Sequence, residues 1–330
     1  MNTSALHQYV SESMGNESNI CQIYAMKGET PFYEDCWRDF KSTDALHVMS
    51  VTKGVMALLI GIAIDKGYIK NTDQKVLDFF PEYTVKRGEK TIYDVTLRHL
   101  LTMTAPYKYR SEPWTKVCTS QDWTKAALDL LGGRSGITGA FKYASLGIQI
   151  LSGIIENASN QKCIDFANQY LFSPLDIPLI QAHGDSSKED QLEFVMTKKP
   201  RKHEWYCDPC HTVTAGWGLT LSAIDMAKIG TLCIHDGKYH NKPVISDRWI
   251  REMTTPRVQL DEMFAHMQYG YLWYKPHKDR NVWAAIGDGG NIIYTDSDND
   301  ISIGVTGTFK PRIFDRVAFI ENRVIPLVLS

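Results

Sequence analysis

The sequence predicts a mixed α/β fold of the α+β type, in which an antiparallel sheet is flanked by helices and a mostly helical region is inserted into it. Residues 20–37 alternate like two strands around a Lys-Gly-Glu turn, and residues 269–306 contain further β-branched and aromatic runs. The chain between these segments has mainly helical patterns. Strands at both ends with helices in the middle pack most simply as one sheet that helices cover.

This arrangement divides the chain into a sheet domain of residues 1–48 and 213–330 and a mostly helical region of residues 49–212. The predicted elements, in chain order, are strands at 20–26 and 30–37, a helix from Ser50, helices at 97–103, 123–131 and 146–155, a helix that ends at 171, a helix at 222–234, strands at 269–273, 282–286, 292–295 and 301–306, and a closing helix at 312–328.

The composition excludes several classes of function. Of the 330 residues, 43% are hydrophobic and 22% are charged, which are ordinary globular values and exclude a disordered chain. The net charge of −2 offers no basic surface for nucleic acid. The longest apolar run, residues 55–64, is far shorter than the about 20 residues that a membrane span needs. We therefore expect no nucleic-acid partner and no membrane partner, and the oligomeric state stays open.

Two features indicate the compartment. Residues 1–9 are polar and lack the basic and then apolar pattern of a signal peptide. Seven cysteines, an odd number at irregular spacings, favour free thiols in a reducing environment. The prediction is a cytoplasmic protein.

The first candidate for chemistry is the pair Ser50 and Lys53. The pair stands at the start of a helix that is apolar all round, and such a helix is buried. Residues three apart share a helix face, so Lys53 is expected beside the Ser50 hydroxyl. Burial favours a neutral amine, which can take the hydroxyl proton, and the Ser50 N–H can face a developing oxyanion. The alternative is an N-cap serine with a lysine whose stem is buried and whose amine reaches solvent.

The second candidate is Tyr143 with Ser145, two residues on. A loop can project both side chains into a cleft, where Tyr143 exchanges a proton with the nucleophile or the leaving group. The alternative is a tyrosine that only packs at the start of a helix.

The third candidate is the end of the predicted strand 282–286, which continues as Gly287-Asp288-Gly289-Gly290-Asn291. Glycine lets a backbone approach a ligand closely, so this strand end can supply a second oxyanion N–H. Asp-Gly is also a strong signal for an ordinary hairpin turn.

These motifs occur in the order Ser-x-x-Lys, Tyr-x-Ser and strand-Gly. In this order the chain resembles the serine β-lactamase and penicillin-binding superfamily, and within it the class C-like serine hydrolases, which include esterases and amidases. The resemblance covers most of the chain. Further segments that fit this family are residues 95–104, 173–175, 215–230 and 269–273.

The resemblance implies a β-lactamase/transpeptidase-like fold and a serine acyl-transfer mechanism on a small-molecule ester or amide, without cofactor or metal. Ser50 attacks a carbonyl, Lys53 and Tyr143 share the proton transfers, and water releases the acyl group. The catalytic residues implied are Ser50, Lys53, Tyr143, Ser145 and Asp288. The substrate-binding residues expected are Tyr107, Trp217, Gly287, Gly289 and Asn291.

Two departures from the family pattern concern the substrate. Ser145 stands where Tyr-x-Asn is common, and similar Tyr-x-Ser sites occur in members that resemble 6-aminohexanoate-oligomer amidases and esterases. Ala285-Ile286-Gly287 aligns with a motif that commonly begins with Lys or His, so no cation is expected there to hold a substrate carboxylate. Its absence argues against efficient action on penicillins. In this alignment the second oxyanion N–H belongs to Asp288. If the alignment is shifted, that N–H belongs to Asn291 instead.

Other readings stay open at this point. Residues 207–211, Cys-Asp-Pro-Cys-His, match a haem attachment pattern, and Cys233 and His235 are conceivable further zinc ligands. The family resemblance instead makes this segment a loop beside the site. A group of loop aromatic residues suggests an apolar acyl pocket; its members are Tyr107, Tyr109, Trp114, Trp205, Trp217, Tyr271 and Trp273. The rival functions are a penicillin-interactive D-Ala peptidase or lactamase and a non-catalytic binding or sensor protein.

Overall fold

The chain folds around one large antiparallel sheet. The computed structural model describes residues 3–13, 18–184, 187–311, 313 and 315–329. The strands are β1 (Ile20–Lys27), β2 (Thr30–Cys36), β3 (Leu46–His47), β4 (Gln181–His183), β5 (Glu204–Tyr206), β6 (Thr220–Leu221), β7 (Lys238–Tyr239), β8 (Lys242–Pro243), β9 (Val258–Gln259), β10 (Gln268–Tyr269), β11 (Tyr274–Lys275), β12 (Val282–Gly287), β13 (Asn291–Asp296) and β14 (Ile301–Gly307).

The helices occupy mainly the middle and the two ends of the chain. They are α1 (Thr3–Gln8), α2 (Val51–Asp65), α3 (Leu97–Leu101), α4 (Trp114–Cys118), α5 (Trp123–Leu130), α6 (Ile150–Ser159), α7 (Cys163–Ala167), α8 (Lys188–Met196), α9 (Ala223–Ile234), α10 (Asp247–Met253), α11 (Arg316–Phe319) and α12 (Ile325–Leu329). Among the described residues, no helix is long and apolar enough to cross a lipid bilayer.

The main sheet joins the two ends of the chain. In the described residues its strand order is β2-β1-β14-β13-β12-β11-β10-β9, and every neighbouring pair is antiparallel. β1 lies beside β14, with Ile23 opposite Val305. The predicted α+β fold, with an antiparallel sheet of N- and C-terminal strands, is confirmed. The division into residues 1–48 with 213–330 and residues 49–212 stays a prediction.

Alternation along the strands sends side chains to two separate cores. On β14, Ile303 and Val305 belong to the core under the terminal helices, whereas Gly304 lies against α9, where an added Cβ would stand 2.2 Å from Ala223 O. On β12, Ala284 faces the first core and Ala285 faces the helical region. Successive strand residues point to opposite faces, so each face of the sheet is buried under helices.

α2 is the buried centre of the helical region. Thirteen of its residues are buried, which agrees with its apolar sequence on all sides. Gly54 allows α2 to approach β12, because a Cβ there would stand 2.7 Å from Ala285 Cβ. The indole N–H groups of Trp249 and Trp273 donate to the carbonyls of Ala57 and Gly54. The helix that starts beside Ser50 is therefore fixed on several sides.

Three predicted elements differ from the structure. Residues 269–273 are not one strand, because Gly270 N–H donates to Trp273 O across the turn that joins β10 to β11. The helix predicted at 146–155 begins as a 3₁₀ turn and becomes α6 only at Ile150. The closing helix predicted at 312–328 begins at Arg316 in the structure, and residues 312 and 314 lie outside the described residues.

Candidate active site

Ser50 is presented by a sharp turn at the start of α2. The chain leading to it is fixed, because β3 pairs with β6 and Val48 N–H donates to Leu219 O at 3.0 Å. Met49 then has a positive φ of 52°, a backbone region that is uncommon for a residue with a side chain. Strained residues of this kind occur often at active sites. The turn brings Ser50 to a point where two cavities meet.

Lys53 is buried directly beside this serine. Its side chain is 2% exposed, and its Nζ donates to Ser50 Oγ at 2.7 Å and to Gly216 O at 2.6 Å. The same nitrogen lies 4.8 Å from the centroid of the Tyr143 ring. The reading in which the amine reaches solvent is wrong, since the amine points at the hydroxyl. This geometry suits the removal of the Ser50 proton.

The loop that carries Tyr143 and Ser145 lies against the same nitrogen. Lys142 N–H donates to Met103 O at 2.7 Å, and the Ser145 carbonyl packs on Gly216, where an added Cβ would stand 2.5 Å from it. Burial and the neighbouring Tyr143 phenol hold the pKa of Tyr274 well above its ordinary value. Tyr274 therefore stays a neutral phenol that can hydrogen-bond within the site.

The end of β12 packs on the backbone of the nucleophile turn. A Cβ added at Gly287 would stand 2.4 Å from Val48 O and 2.9 Å from Ser50 N, so only glycine fits. Gly289 follows with a φ of +73° and turns the chain away. The backbone amides of Ser50 and Asp288 donate to no acceptor in the part of the chain that the structure describes. Two N–H groups in this region suit an oxyanion hole.

Two cavities meet at these residues. The first, of about 420 Å³, lies against α4 and α8, and the second, of about 630 Å³, lies between the Tyr143 loop and the end of β12. Ser50, Ser145 and Asp288 line both cavities. Trp217 lines the first, and Gly287 and Gly289 line the second.

Two of the expected substrate-binding residues line neither cavity. Tyr107 packs behind the loop against Gly147, where an added Cβ would stand 2.2 Å from the ring. Asn291 is fully buried, and its side-chain amide donates to Asp288 O and Gly307 O. Both side chains support the walls of the site. The expectation is corrected for Asn291, which has no exposed surface to touch a substrate, and for Tyr107 it stays a prediction.

The loop aromatic residues also divide into two groups. Trp114 and Trp217 line the first cavity. Trp205, Tyr271 and Trp273 are fully buried in the core, so they cannot form part of an acyl pocket. The Cys-Asp-Pro-Cys-His segment is a turn that its own aspartate stabilises. Asp208 Oδ1 accepts hydrogen bonds from the backbone amides of Cys210 and Thr212, and Cys207 Sγ lies against His183 O.

Sequence reasoning missed Glu112. Its carboxylate accepts a hydrogen bond of 2.6 Å from Leu146 N–H, just after the Tyr-x-Ser motif. Burial raises the pKa of Glu112, and the hydrogen bond from Leu146 N–H and the positive charge of Lys53 partly oppose that rise. A single glutamate in a loop has no periodic or spacing signal, so only the folded chain connects it with the site.

Sequence reasoning also expected no cation beside the third motif, and the structure places one there from a distant segment. Arg316, at the start of α11, lines the second cavity and is 4% exposed. Its Nε donates to Gly290 O at 3.2 Å, and burial lowers its pKa to about 9. The guanidinium is thus still charged at neutral pH.

His47 is a buried neutral residue at the first cavity. Burial and the nearby positive charge of Arg201 lower the pKa of His47 to about 3. Its Nε2 accepts a hydrogen bond of 2.9 Å from Gly218 N–H, which fixes the ring beside Trp217. This wall of the cavity therefore carries no charge at neutral pH.

The comparisons with known proteins agree with this arrangement. A family model described as Beta-lactamase matches residues 37–321, which is most of the chain.

The chain belongs to the beta-lactamase family. The predicted superfamily is thereby confirmed. A curated relative, the 6-aminohexanoate-dimer hydrolase of Paenarthrobacter ureafaciens, is 24% identical over 286 residues, and the match covers 79% of this chain and 65% of that protein. The chain therefore spans less than two thirds of the length of that relative.

Solved structures of other members share the fold. A penicillin-binding protein homologue from Pyrococcus abyssi has a TM-score of 0.73 at 20% identity, over 99% of this chain and 78% of that one. EstA from Arthrobacter nitroguajacolicus Rue61a has a TM-score of 0.72 at 15% identity, over 99% and 96%. At these identities the likeness describes the fold of this beta-lactamase family member.

Proposed function

We propose that this protein is a serine hydrolase that cleaves a small carboxylic ester or amide through an acyl-enzyme on Ser50. The observation that carries the proposal is the buried contact of 2.7 Å between Lys53 Nζ and Ser50 Oγ, with the Tyr143 ring beside it. A relative named as a 6-aminohexanoate-dimer hydrolase supports hydrolysis as the reaction class.

The proposed reaction has two halves. The Ser50 hydroxyl loses its proton to the amine of Lys53 or, through it, to Tyr143, while Oγ forms a bond to the carbonyl carbon. The amides of Ser50 and Asp288 stabilise the oxyanion, and Tyr143 returns the proton to the leaving oxygen or nitrogen as its bond to carbon breaks. Water then attacks the acyl-enzyme and gives its proton back to Ser50 through the same groups.

A fluorophosphonate probe with intact-mass detection tests this proposal. We expect one adduct on the wild-type protein and none on Ser50→Ala. A matched control is Ser159→Ala, since Ser159 Oγ bonds only backbone groups at the end of α6, donating to Ile155 O and accepting from Gln161 N–H, and this variant should label fully. No adduct on folded wild-type protein would mean that the chain is a non-catalytic binding or sensor protein.

One observation favours a second candidate, a penicillin-reactive enzyme. Arg316 lines the cavity next to Ser50 and is charged at neutral pH; its Nε and Nη2 donate to Gly290 O and Asn19 Oδ1, and its positive charge favours a substrate carboxylate in that cavity. A fluorescent penicillin should then label the wild-type protein and not Ser50→Ala, and Arg316→Gln should weaken labelling. Ester turnover without penicillin labelling would leave only the first candidate.

A cytoplasmic location is also part of the proposal. None of the seven cysteines forms a disulfide in the described structure, which is typical of proteins in a reducing compartment.

A further inference from the structure

The two cavities at Ser50 differ in their chemistry. The walls of the 420 Å³ cavity are mostly apolar: they include Trp114, Leu192, Val195, Trp217 and Phe309. The walls of the 630 Å³ cavity have more charged or titratable side chains: His277, Lys310, Asp315 and Arg316 line this cavity alone, whereas Asp288 lines both cavities and Lys188 lines only the first. A substrate bound across Ser50 places one part in each cavity.

The position of Tyr143 indicates which cavity holds the leaving group of the substrate and which holds the acyl group. Tyr143 lines the charged cavity and does not line the apolar one. A general acid must reach the leaving oxygen or nitrogen at hydrogen-bond distance. The leaving group therefore lies in the charged cavity, and the acyl group lies in the apolar cavity.

Two large apolar side chains that line the apolar cavity are exposed to solvent. Leu192 is 61% exposed and Trp114 is 43% exposed, on α8 and α4 respectively. Both side chains line the same cavity as the half-buried Trp217. Exposed apolar residues that group around a concave site mark a surface for an apolar ligand.

The size of the apolar cavity limits the acyl group. A cavity of about 150 Å³ holds a benzene molecule, so about 420 Å³ accommodates more than an aromatic ring or a short alkyl chain. An acetyl group would leave most of this volume unused. An acyl chain of several carbons fills it and removes the Leu192 and Trp114 surfaces from water.

We propose that the substrate combines a medium-length apolar acyl group, which binds between α4 and α8, with a polar or charged alcohol or amine as leaving group, which binds on the Tyr143 side. This inference rests on the proposed hydrolase function and names the substrate class of the same site.

The test is a series of p-nitrophenyl esters from acetate to octanoate, with kcat/KM read from p-nitrophenol release, including the first turnover. Because each buried methylene group stabilises binding, we expect kcat/KM to rise about fourfold per methylene up to the hexanoate. In Leu192→Asp the hexanoate-to-acetate ratio should fall at least tenfold. The control Leu179→Asp changes a leucine that is 69% exposed and lines neither cavity, and its ratio should equal that of the wild type.

A second series tests the direction. Hexanoate esters of glycerol and of hexanol present the same acyl group with a polar and an apolar leaving group, and the glycerol ester should be cleaved at least fivefold faster. Met263 is 84% exposed and lines only the charged cavity, so Met263→Trp should change this ratio and leave the acyl-length dependence as it is.

The outcomes separate the two proposals. If fluorophosphonate labels Ser50 but the acyl-length dependence is flat, or if Met263→Trp alters it while Leu192→Asp does not, the substrate assignment is wrong and the hydrolase function stands. If the folded protein shows neither labelling nor release of p-nitrophenol, the hydrolase function is wrong and the substrate assignment falls with it.

Discussion

The carboxylate of Glu112 lies 2.6 Å from the backbone nitrogen of Leu146 and accepts its hydrogen bond. This bond fixes the chain directly after Ser145, so it holds the Tyr143 loop in place from behind. The charged and titratable groups around the carboxylate are Lys53, Lys142, Tyr107, Tyr109 and Cys118. Because the Glu112 carboxyl is partly buried here, its ionisation affects the stability of the folded site.

This relationship predicts a pH-dependent effect of Glu112→Gln. Burial raises the pKa of Glu112 above 4.5, its value in the unfolded chain. The folded state therefore binds the proton more tightly, and the stability from Glu112 is present below pH 4.5 and is lost as the pH rises through the raised pKa. Glutamine keeps an acceptor for Leu146 N–H and has no charge to bury.

We therefore expect the free energy of unfolding of Glu112→Gln, relative to wild type, to increase between pH 4 and pH 7, by up to about 1.4 kcal/mol if the pKa of Glu112 is raised by about one. Urea unfolding at both pH values measures it. The control is Glu82→Gln, an exposed residue, which should show no such change. A relative stability that stays constant or decreases with pH would contradict the role given to Glu112.

Tyr143→Phe should separate the proton transfers from the rest of the site. The ring remains beside Lys53, and only the hydroxyl is lost. General acid catalysis typically contributes about 10²- to 10⁴-fold, and a poor leaving group needs the proton most. We expect a loss of kcat of that size on amides and alkyl esters and a clearly smaller loss on p-nitrophenyl esters.

The measurement is kcat on a matched amide and p-nitrophenyl ester of the same acid. Tyr93→Phe, at a tyrosine that is 56% exposed, is the control and should behave as wild type on both. Equal losses on both substrates would argue that Tyr143 acts only in removing the Ser50 proton.

Gly287→Ala should damage the oxyanion hole. The new methyl group would stand 2.4 Å from Val48 O and 2.9 Å from Ser50 N, both backbone atoms, so the end of β12 must move away. That movement displaces the Asp288 amide, and the loss of one oxyanion donor costs about 10²- to 10³-fold in kcat. Ester kinetics measure this effect.

The control for this variant is Gly136→Ala, at a glycine with nothing within 4 Å of an added Cβ. Its positive φ of 68° costs some stability, yet the site is untouched, so kcat should hold. Full activity in Gly287→Ala would show that the Asp288 amide does not contact the oxyanion.

The sequence predicted the parts of this molecule that local rules control. The ten apolar residues from Val55 to Ile64 predicted the buried α2, and its start predicted the contact between Ser50 and Lys53, because helix geometry alone brings them together. Strand alternation predicted β1, β12, β13 and β14 with small errors at their ends.

What the sequence could not predict depends on contacts between distant segments. Glu112 meets Leu146 across 34 positions, and Lys53 meets the Gly216 carbonyl across 163. Neither contact has a signature in spacing or composition. Asn291 looked like a ligand-binding residue in a Gly-rich segment, but its amide is used by the backbone of the turn. A glycine-rich segment predicts that another group approaches its backbone closely, but it does not predict whether that group is a ligand or another part of the chain.

The last prediction concerns α8, which forms the outer wall of the apolar cavity. His183 on β4 holds this helix, because its Nδ1 lies 2.9 Å from Glu204 Oε2 and its Nε2 lies 3.0 Å from Asp190 Oδ1 on α8. Hydrogen bonds to charged groups stabilise by about 1.5–3 kcal/mol. His183→Ala removes this bridge and leaves two carboxylates facing the gap.

We expect α8 to loosen in His183→Ala, so that KM rises for hexanoate esters, whose chain contacts Leu192, and changes little for acetate esters. Limited trypsin digestion should cut faster after Lys188, the first residue of α8, and after Lys198, just past its end. His235→Ala is the matched control, since His235 pairs with Asp300 at 2.9 Å far from α8. Equal digestion rates and an unchanged KM for both esters in His183→Ala would mean that the other contacts of α8, the hydrogen bond from Tyr206 OH to Asp190 and the packing of Phe194, secure the helix without His183.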